Sequence, residues 1–217
     1  MASRISVKNR ESGLRYIEFI KSRRSSKLLE PGEVSLEDLL TTLEAAVSAP
    51  SAHNAQPWRF ILVRNKETIR RLLEAMAEEW RRDLLSDGLD ERKVEVIIRE
   101  SASRTLRASA VIVACLTMSE MDRYPDEKRS RCEYIMAVQS VAAACQNLLL
   151  ALHALGYGAC WRCGPLFAPE SVRRVLNIPS DVEPQALIEV GLPGGIRPTR
   201  RKPLSEVVFM DRWGEHS

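Results

Sequence analysis

Cys160 and Cys163, inside GYGACWRCG at 156–164, have the spacing of a redox dithiol or of half a zinc site. A structural zinc site needs four ligands, and the other Cys and His residues supply no second CxxC and no His pair at usable spacing. A redox dithiol belongs at a helix N-terminus, which lowers the thiol pKa. Here GPLFAPE follows and delays the next helix. Two small side chains at the end of a buried strand are the favoured reading. The glycines do not form a dinucleotide fingerprint, because GYGACW follows a helical pattern and lacks the third glycine. Gly156 serves more simply as the cap after Leu155. GxSxG, Walker and HExxH motifs are absent, which removes the common hydrolase and nucleotide-triphosphatase signatures.

Two basic clusters could hold a phosphate. Arg23, Arg24, Ser25 and Lys27 offer guanidinium, hydroxyl and ammonium donors within five residues, and Arg197, Arg200, Arg201 and Lys202 form a second group near the C-terminus. A solvated charged patch is the plainer reading of each, since Lys and Arg are mostly exposed. The loop APSAHNAQPW at 49–58 sets Ser51, His53, Asn54 and Gln56 between Pro50 and Pro57, just before a strand, where loops commonly carry function. His53 has no second residue in sequence reach to orient it, which favours a loop hydrogen-bonder over a catalyst.

The elements that must position these groups follow from periodicity. Tyr16 to Arg23 reads as a short helix. Ser35, with Asp38 three residues on, opens a helix in which Leu36, Leu39, Leu40 and Leu43 share a face, and Pro50 stops it at Ala49. WRFILV at 58–63 reads as a strand. Helices follow at 66–85 and about 90–103, the first ended by SDG. AVIVACL at 110–116 is apolar throughout, as in a strand covered on both faces. Tyr134, Val138, Val141, Cys145, Leu148, Leu152 and Leu155 alternate steps of four and three, and Ile135, Ala142 and Leu149 widen that seam. Such a helix belongs in a core, a subunit interface, or both. A strand at about 158–162, a helix at 169–176, a strand at 186–192 and a terminal strand at 206–210 complete an α+β domain around a sheet of four or five strands.

At 217 residues the chain buries roughly 70% of its unfolded surface as one domain and needs no metal or disulfide for stability. Residues 1–13 read as a flexible segment, and 14–217 as a single domain with a C-terminal extension from about 194. Lys and Arg outnumber Asp and Glu by 32 to 29, too small a margin to imply nucleic acid. The N-terminus has no signal-like apolar core, and no apolar run approaches the roughly 18 residues of a bilayer span, so a cytoplasmic location is expected. Five cysteines without regular spacing argue against a disulfide framework. Buried free thiols are expected at Cys115, Cys132 and Cys145.

In this order, RRSSK at 23–27, APSAHNAQPWRF at 49–60, LGYGACW at 155–161 and TRRKPL at 199–204 resemble the FMN-dependent nitroreductase family, over about residues 14–210. The resemblance implies a mostly antiparallel sheet flanked by helices, in a domain-exchanged homodimer with FMN at the subunit interface and the long helix in the dimer core. It places Arg23, Arg24, Ser25, Lys27 and Arg201 on the flavin phosphate, ribityl chain and ring edge. Pro50, Ser51 and Ala52 would line the ring from the partner subunit, with Asn54 and Gln56 helping to fix that loop and Cys163 and Gly164 nearest the ring. His53, Trp80 and Arg162 would shape acceptor access. Lys27 stands where many relatives have Arg. MAEEWRRDLLSDG, LFAPESVRRVLNIP and VEPQALIEVGLP are further similar to the flavin domain that accompanies the γ-glutamyl ligase of deazaflavin-coenzyme biosynthesis. That implies a dehydro precursor of the coenzyme as one possible acceptor and the ligase as a possible partner. WRCG departs from the small, hydroxyl-bearing residues expected there. A flavin or deazaflavin binder without turnover is the alternative.

Overall fold

The computed structural model describes residues 10–195 and 199–214. Five strands, β1 (Leu29–Glu30), β2 (Trp58–Val63), β3 (Ala110–Thr117), β4 (Gly158–Arg162) and β5 (Val182–Pro193), form one sheet. Every pairing is antiparallel. β2 pairs with β3 and β3 with β5, while the other edge of the long β5 takes β4 and then β1. A bulge opposite Ala114 and Cys115 leaves Gln185 extra on β5.

β3 is buried at all eight positions because both faces are covered. Its even residues, Ala110, Ile112, Ala114 and Leu116, pack with α2 (Leu36–Val47) and α5 (Glu127–Ala154). Its odd residues, Val111, Val113 and Cys115, pack with Ile69 and Leu72 of α3 (Lys66–Ser86) and Val172 of α6 (Pro169–Leu176). This strict alternation sorts the whole core into two layers, since successive strand side chains point to opposite faces.

The helix starts follow the expected chemistry. Ser35 accepts from the Asp38 N–H to open α2, and Asn65, Asp90 and Asp126 cap α3, α4 (Glu91–Leu106) and α5 in the same way. Gly156, at φ +81°, ends α5 in a conformation that costs a glycine little.

Several expectations change. α1 (Arg10–Ser22) starts earlier than the sequence pattern suggested and takes in residues 10–13. Residues 206–210 are not a strand: a 3-10 turn spans Leu204–Glu206, and 207–210 join none of the five strands of the sheet. Along α5, Val141, Cys145, Leu148, Leu149 and Leu152 are buried, but Tyr134, Ile135 and Leu155 at the ends of the seam are exposed. An 18-residue window of α5 reaches a mean hydropathy of 1.7, apolar enough to cross a bilayer, contrary to the sequence expectation; it packs on the sheet and on α2. Cys115 and Cys145 are buried thiols, whereas Cys132 is exposed.

Candidate active site

The RRSSK segment leaves α1 and passes beside β4. The Ser26 N–H donates to the Ala159 carbonyl at 2.9 Å, and Ser26 is buried. Gly158 permits the approach: a Cβ there would lie 3.0 Å from Ser26 Cβ, 3.0 Å from Pro193 Cα and 2.9 Å from Leu29 Cδ2. Pinned in this way, the segment presents Arg23 and Arg24 half-buried and Ser25 and Lys27 exposed.

Arg201 of the second basic cluster approaches this segment. Burial, then the neighbouring charges of Arg201 and Arg24, lower the pKa of Arg23, with Cys160 acting weakly the other way. Among the described residues, Arg23, Arg24, Lys27 and Arg201 make no ion pair. Positive charge is therefore concentrated without a carboxylate to balance it, the donor set that a phosphate dianion fits. Arg197 lies outside the described residues. His153, at the end of α5, was not singled out from the sequence, yet it joins this cluster. Its Nε2 lies 2.7 Å from Ser22 Oγ, its ring stacks on Phe19 at 5.1 Å, and burial followed by the charges of Arg23 and Arg24 lowers its pKa.

Next to the cluster, a cavity of about 540 Å³ opens between α3, α4 and the end of β4. Lys27, Trp80, Arg162, Cys163 and Gly164, all singled out from the sequence, line it. Leu73, Met76 and Ile98 make its apolar wall, and Ser101 and Arg104 of α4 add polar groups that the sequence reading missed. On a helix with three arginines, Arg104 carries no local signal of pointing inward.

Arg162 braces the floor of the cavity. Glu189 of β5, 2% exposed, accepts from Arg162 Nη1 at 3.1 Å and from Thr105 Oγ1 at 2.5 Å, and Arg162 Nη2 donates to Ser101 Oγ at 2.6 Å. Both ends of the guanidinium are engaged, so Arg162 ties β4 to β5 and α4. Burial, and after it the Glu189 carboxylate, push the Cys160 thiol up, against the opposing pull of Arg162, Lys27 and Arg104. A buried, protonated thiol suits the structural reading of Cys160. Cys163 is exposed just beyond the strand.

Within one chain, the loop carrying Pro50, Ser51, Ala52, His53 and Asn54 does not reach the cavity. It precedes β2, three strands away from β4 and so about 14 Å across the sheet. The loop is anchored on α5 instead: the Ala52 N–H donates to Ser140 Oγ at 3.2 Å, and Ser51 Oγ accepts from the Gln56 N–H at 3.1 Å. Gln56 Nε2 donates to the Asn54 carbonyl at 3.4 Å. His53, Asn54 and Gln56 all have positive φ, at 54°, 54° and 49°. His53 Nε2 lies 3.4 Å from Glu133 Oε1 and 3.9 Å from Asp122 Oδ2, partners from distant parts of the chain.

The sequence profile of the Nitroreductase family matches residues 20–192. The chain belongs to the nitroreductase family. As a member of it, the protein is an oxidoreductase with the nitroreductase-like fold. An Archaeoglobus fulgidus protein provisionally named NADH dehydrogenase/NAD(P)H nitroreductase is 31% identical to this chain over 180 residues, covering 82% of this chain and 84% of the relative. A BluB-like flavoprotein from Clostridium difficile superposes with a TM-score of 0.73 at 22% identity, covering 91% of this chain and 99% of that one. A nitroreductase from Desulfovibrio desulfuricans, solved in complex with FMN, superposes with a TM-score of 0.66 at 25% identity over 91% of this chain and 96% of that one.

Proposed function

We propose that this chain is a cytoplasmic, homodimeric, FMN-dependent, NAD(P)H-type oxidoreductase acting on small conjugated acceptors. The observation that carries the cofactor assignment is the cluster of Arg23, Arg24 and Arg201, uncompensated by any ion pair among the described residues and set beside a cavity of about 540 Å³ lined by Lys27. The FMN complex of the Desulfovibrio relative supports it.

In this reading Arg23, Arg24, Ser25 and Arg201 hold the phosphate end. Lys27 and Arg104 face the cavity and stabilise negative charge there. Gly164 and the exposed Cys163 form the floor next to β4, and Trp80 with Met76 on α3 closes the apolar side. When bound, FMN supplies the hydride chemistry, and the protein supplies position and electrostatics. A reduced nicotinamide or deazaflavin donor and a nitroaromatic, quinone or deazaflavin-precursor acceptor use the cavity in turn, a ping-pong order. Pro50 to Asn54 of a second chain line the cavity opening, which is why one chain alone leaves that loop apart. A γ-glutamyl ligase is the partner proposed for the deazaflavin branch.

The test is flavin retention. FMN added to the protein and then desalted should leave a visible flavin spectrum, and a colourless protein overturns the proposal. Losing one charge-assisted donor of about 1.5 to 3 kcal/mol should raise the FMN dissociation constant of Arg23→Ala by about one to two orders of magnitude. Anaerobic NADH, NADPH or reduced deazaflavin should bleach the bound flavin. Bleaching by none of them favours a flavin carrier instead.

A further inference from the structure

The most unusual polar group outside the cavity is Glu133, on the first turns of α5. Its side chain is 3% exposed, and its Oε2 is buried without a hydrogen-bond partner. Among the described residues its one ion-pair partner is His53. A buried carboxylate with a free oxygen is costly unless a cation completes it.

His53 and Asp122 face this carboxylate. One ligand atom from each of His53, Asp122 and Glu133 can be chosen so that all lie within 4.8 Å of one another. Ligands bound at about 2.1 Å to a tetrahedral cation stand about 3.4 Å apart. The separation of His53 Nε2 and Glu133 Oε1 is 3.4 Å, and that of His53 Nε2 and Asp122 Oδ2 is 3.9 Å. Asp122 is exposed and can close the difference by rotating its side chain.

The backbone gives a second, independent sign. His53 sits at φ 54°, ψ 14°, followed by Asn54 in the same left-handed region. Holding a non-glycine residue there costs on the order of 1 to 3 kcal/mol, and such outliers gather at ligand clamps. From this conformation the imidazole lies 3.4 Å from Glu133 Oε1. Asp122, itself exposed, also borders a recess shared with Thr117, Ser119, Arg123 and Asp181.

We propose that His53, Asp122 and Glu133 bind a divalent transition-metal cation, with water completing the coordination. One imidazole and two carboxylates suit Zn²⁺ or Mn²⁺. The neutral imidazole binds through Nε2, and the cation neutralises Glu133 where a protein donor is missing. His53 lies in the loop that the flavin reading places at a partner's cavity, but the metal proposal rests on the Glu133 geometry and does not depend on that reading.

The test uses FMN-treated full-length protein, stripped with a chelator and dialysed against Zn²⁺, with bound metal measured by elemental analysis. Flavin absorbance is recorded in parallel so that metal and flavin losses are read separately. Wild type should retain one Zn²⁺ per chain above the level of the His53→Ala/Asp122→Asn double variant, which alters only exposed side chains and keeps every cysteine. Glu133→Gln should weaken binding at least about tenfold, the lower end of what disturbing a metal site costs. Equal retention by wild type and the double variant overturns the proposal, whether or not Glu133→Gln folds.

Discussion

Arg162 shows how a residue's role depends on what its side chain already holds. From the sequence it is a candidate for shaping acceptor access, and it does line the cavity. Its guanidinium is nevertheless committed to Glu189 and Ser101. Arg162→Ala leaves Glu189, 2% exposed, with Thr105 alone and should destabilise the fold by about 3 to 5 kcal/mol, the usual result of removing one partner of a buried ion pair. Urea unfolding measures this, and a normal unfolding midpoint combined with a raised KM would return Arg162 to a substrate role. The thiols make a second prediction. Burial pushes Cys115 and Cys145 up to about 12. Because their folded-state pKa is raised, the folded chain keeps both protons where the unfolded chain releases them, above about pH 8.5. Their stabilisation is complete below that pH and is lost as pH rises towards 12, by about 1.4 kcal/mol per unit for each thiol. Unfolding midpoints at about pH 8 and pH 10.5 should fall less for the Cys115→Ala/Cys145→Ala variant than for wild type, and parallel slopes would refute the assignment. At this scale the sequence exposed the residues whose type is unusual in context, such as the RRSSK run and the PSAHN loop. It concealed Arg104, Glu189, His153 and Glu133, because an ionisable residue on a helix or strand looks alike whether it faces solvent or the interior.

Elements were legible where one local rule decided them. β3 reads as buried from its unbroken apolar run, α5 from its seam, and the end of α5 from Gly156. The errors fall where a partner far away in sequence decides. EVVFM at 206–210 has the composition of a strand, but a strand forms only by pairing with another, and this segment pairs with none of the five strands of the sheet. β1 itself is two residues long and held by long-range contacts: Arg107 Nε donates to the Leu29 carbonyl at 2.9 Å, and Arg107 pairs with Glu30 at 3.3 Å. The opening motif gains a different meaning from the same logic. The glycine of GYGACW that matters to the site is Gly158, through the room it leaves for RRSSK. In Gly158→Ala the added Cβ meets the backbone of Pro193 at 3.0 Å, where no side-chain rotation gives relief. Overpacking of this kind costs about 1 to 3 kcal/mol. The variant should therefore unfold at lower urea and also bind FMN more weakly, because the strand and the anion-binding segment share that contact. Normal FMN affinity in a destabilised Gly158→Ala would separate the two effects and count against the coupling.

At the scale of the whole molecule, large apolar side chains stay exposed on two segments. α1 has no buried residue, and Leu14, Ile17 and Ile20 on it are about half exposed. The C-terminal arm carries Leu204, Val207, Val208, Met210 and Trp213, the last 89% exposed. Exposed apolar residues scattered singly need no explanation, but groups clustered on α1 and the C-terminal arm are the surface that the proposed homodimer would use. In the proposed homodimer a second copy of the chain would cover them, since α1 and the C-terminal arm could exchange between protomers without disturbing the central sheet. The same exchange would bring the partner's Pro50 to Asn54 loop to the cavity it cannot reach in its own chain. Dimerisation and flavin binding are then coupled equilibria. Val208→Asp/Trp213→Asp places two charges on the arm while leaving both core layers untouched. Sedimentation velocity should show wild type as a dimer and this variant shifted to monomer, with an intact far-ultraviolet circular dichroism spectrum. Since a ligand that binds only the assembled form stabilises it by mass action, added FMN should move the variant back towards dimer. A wild-type protein that is monomeric at micromolar concentration while retaining FMN would show that one chain completes the site alone.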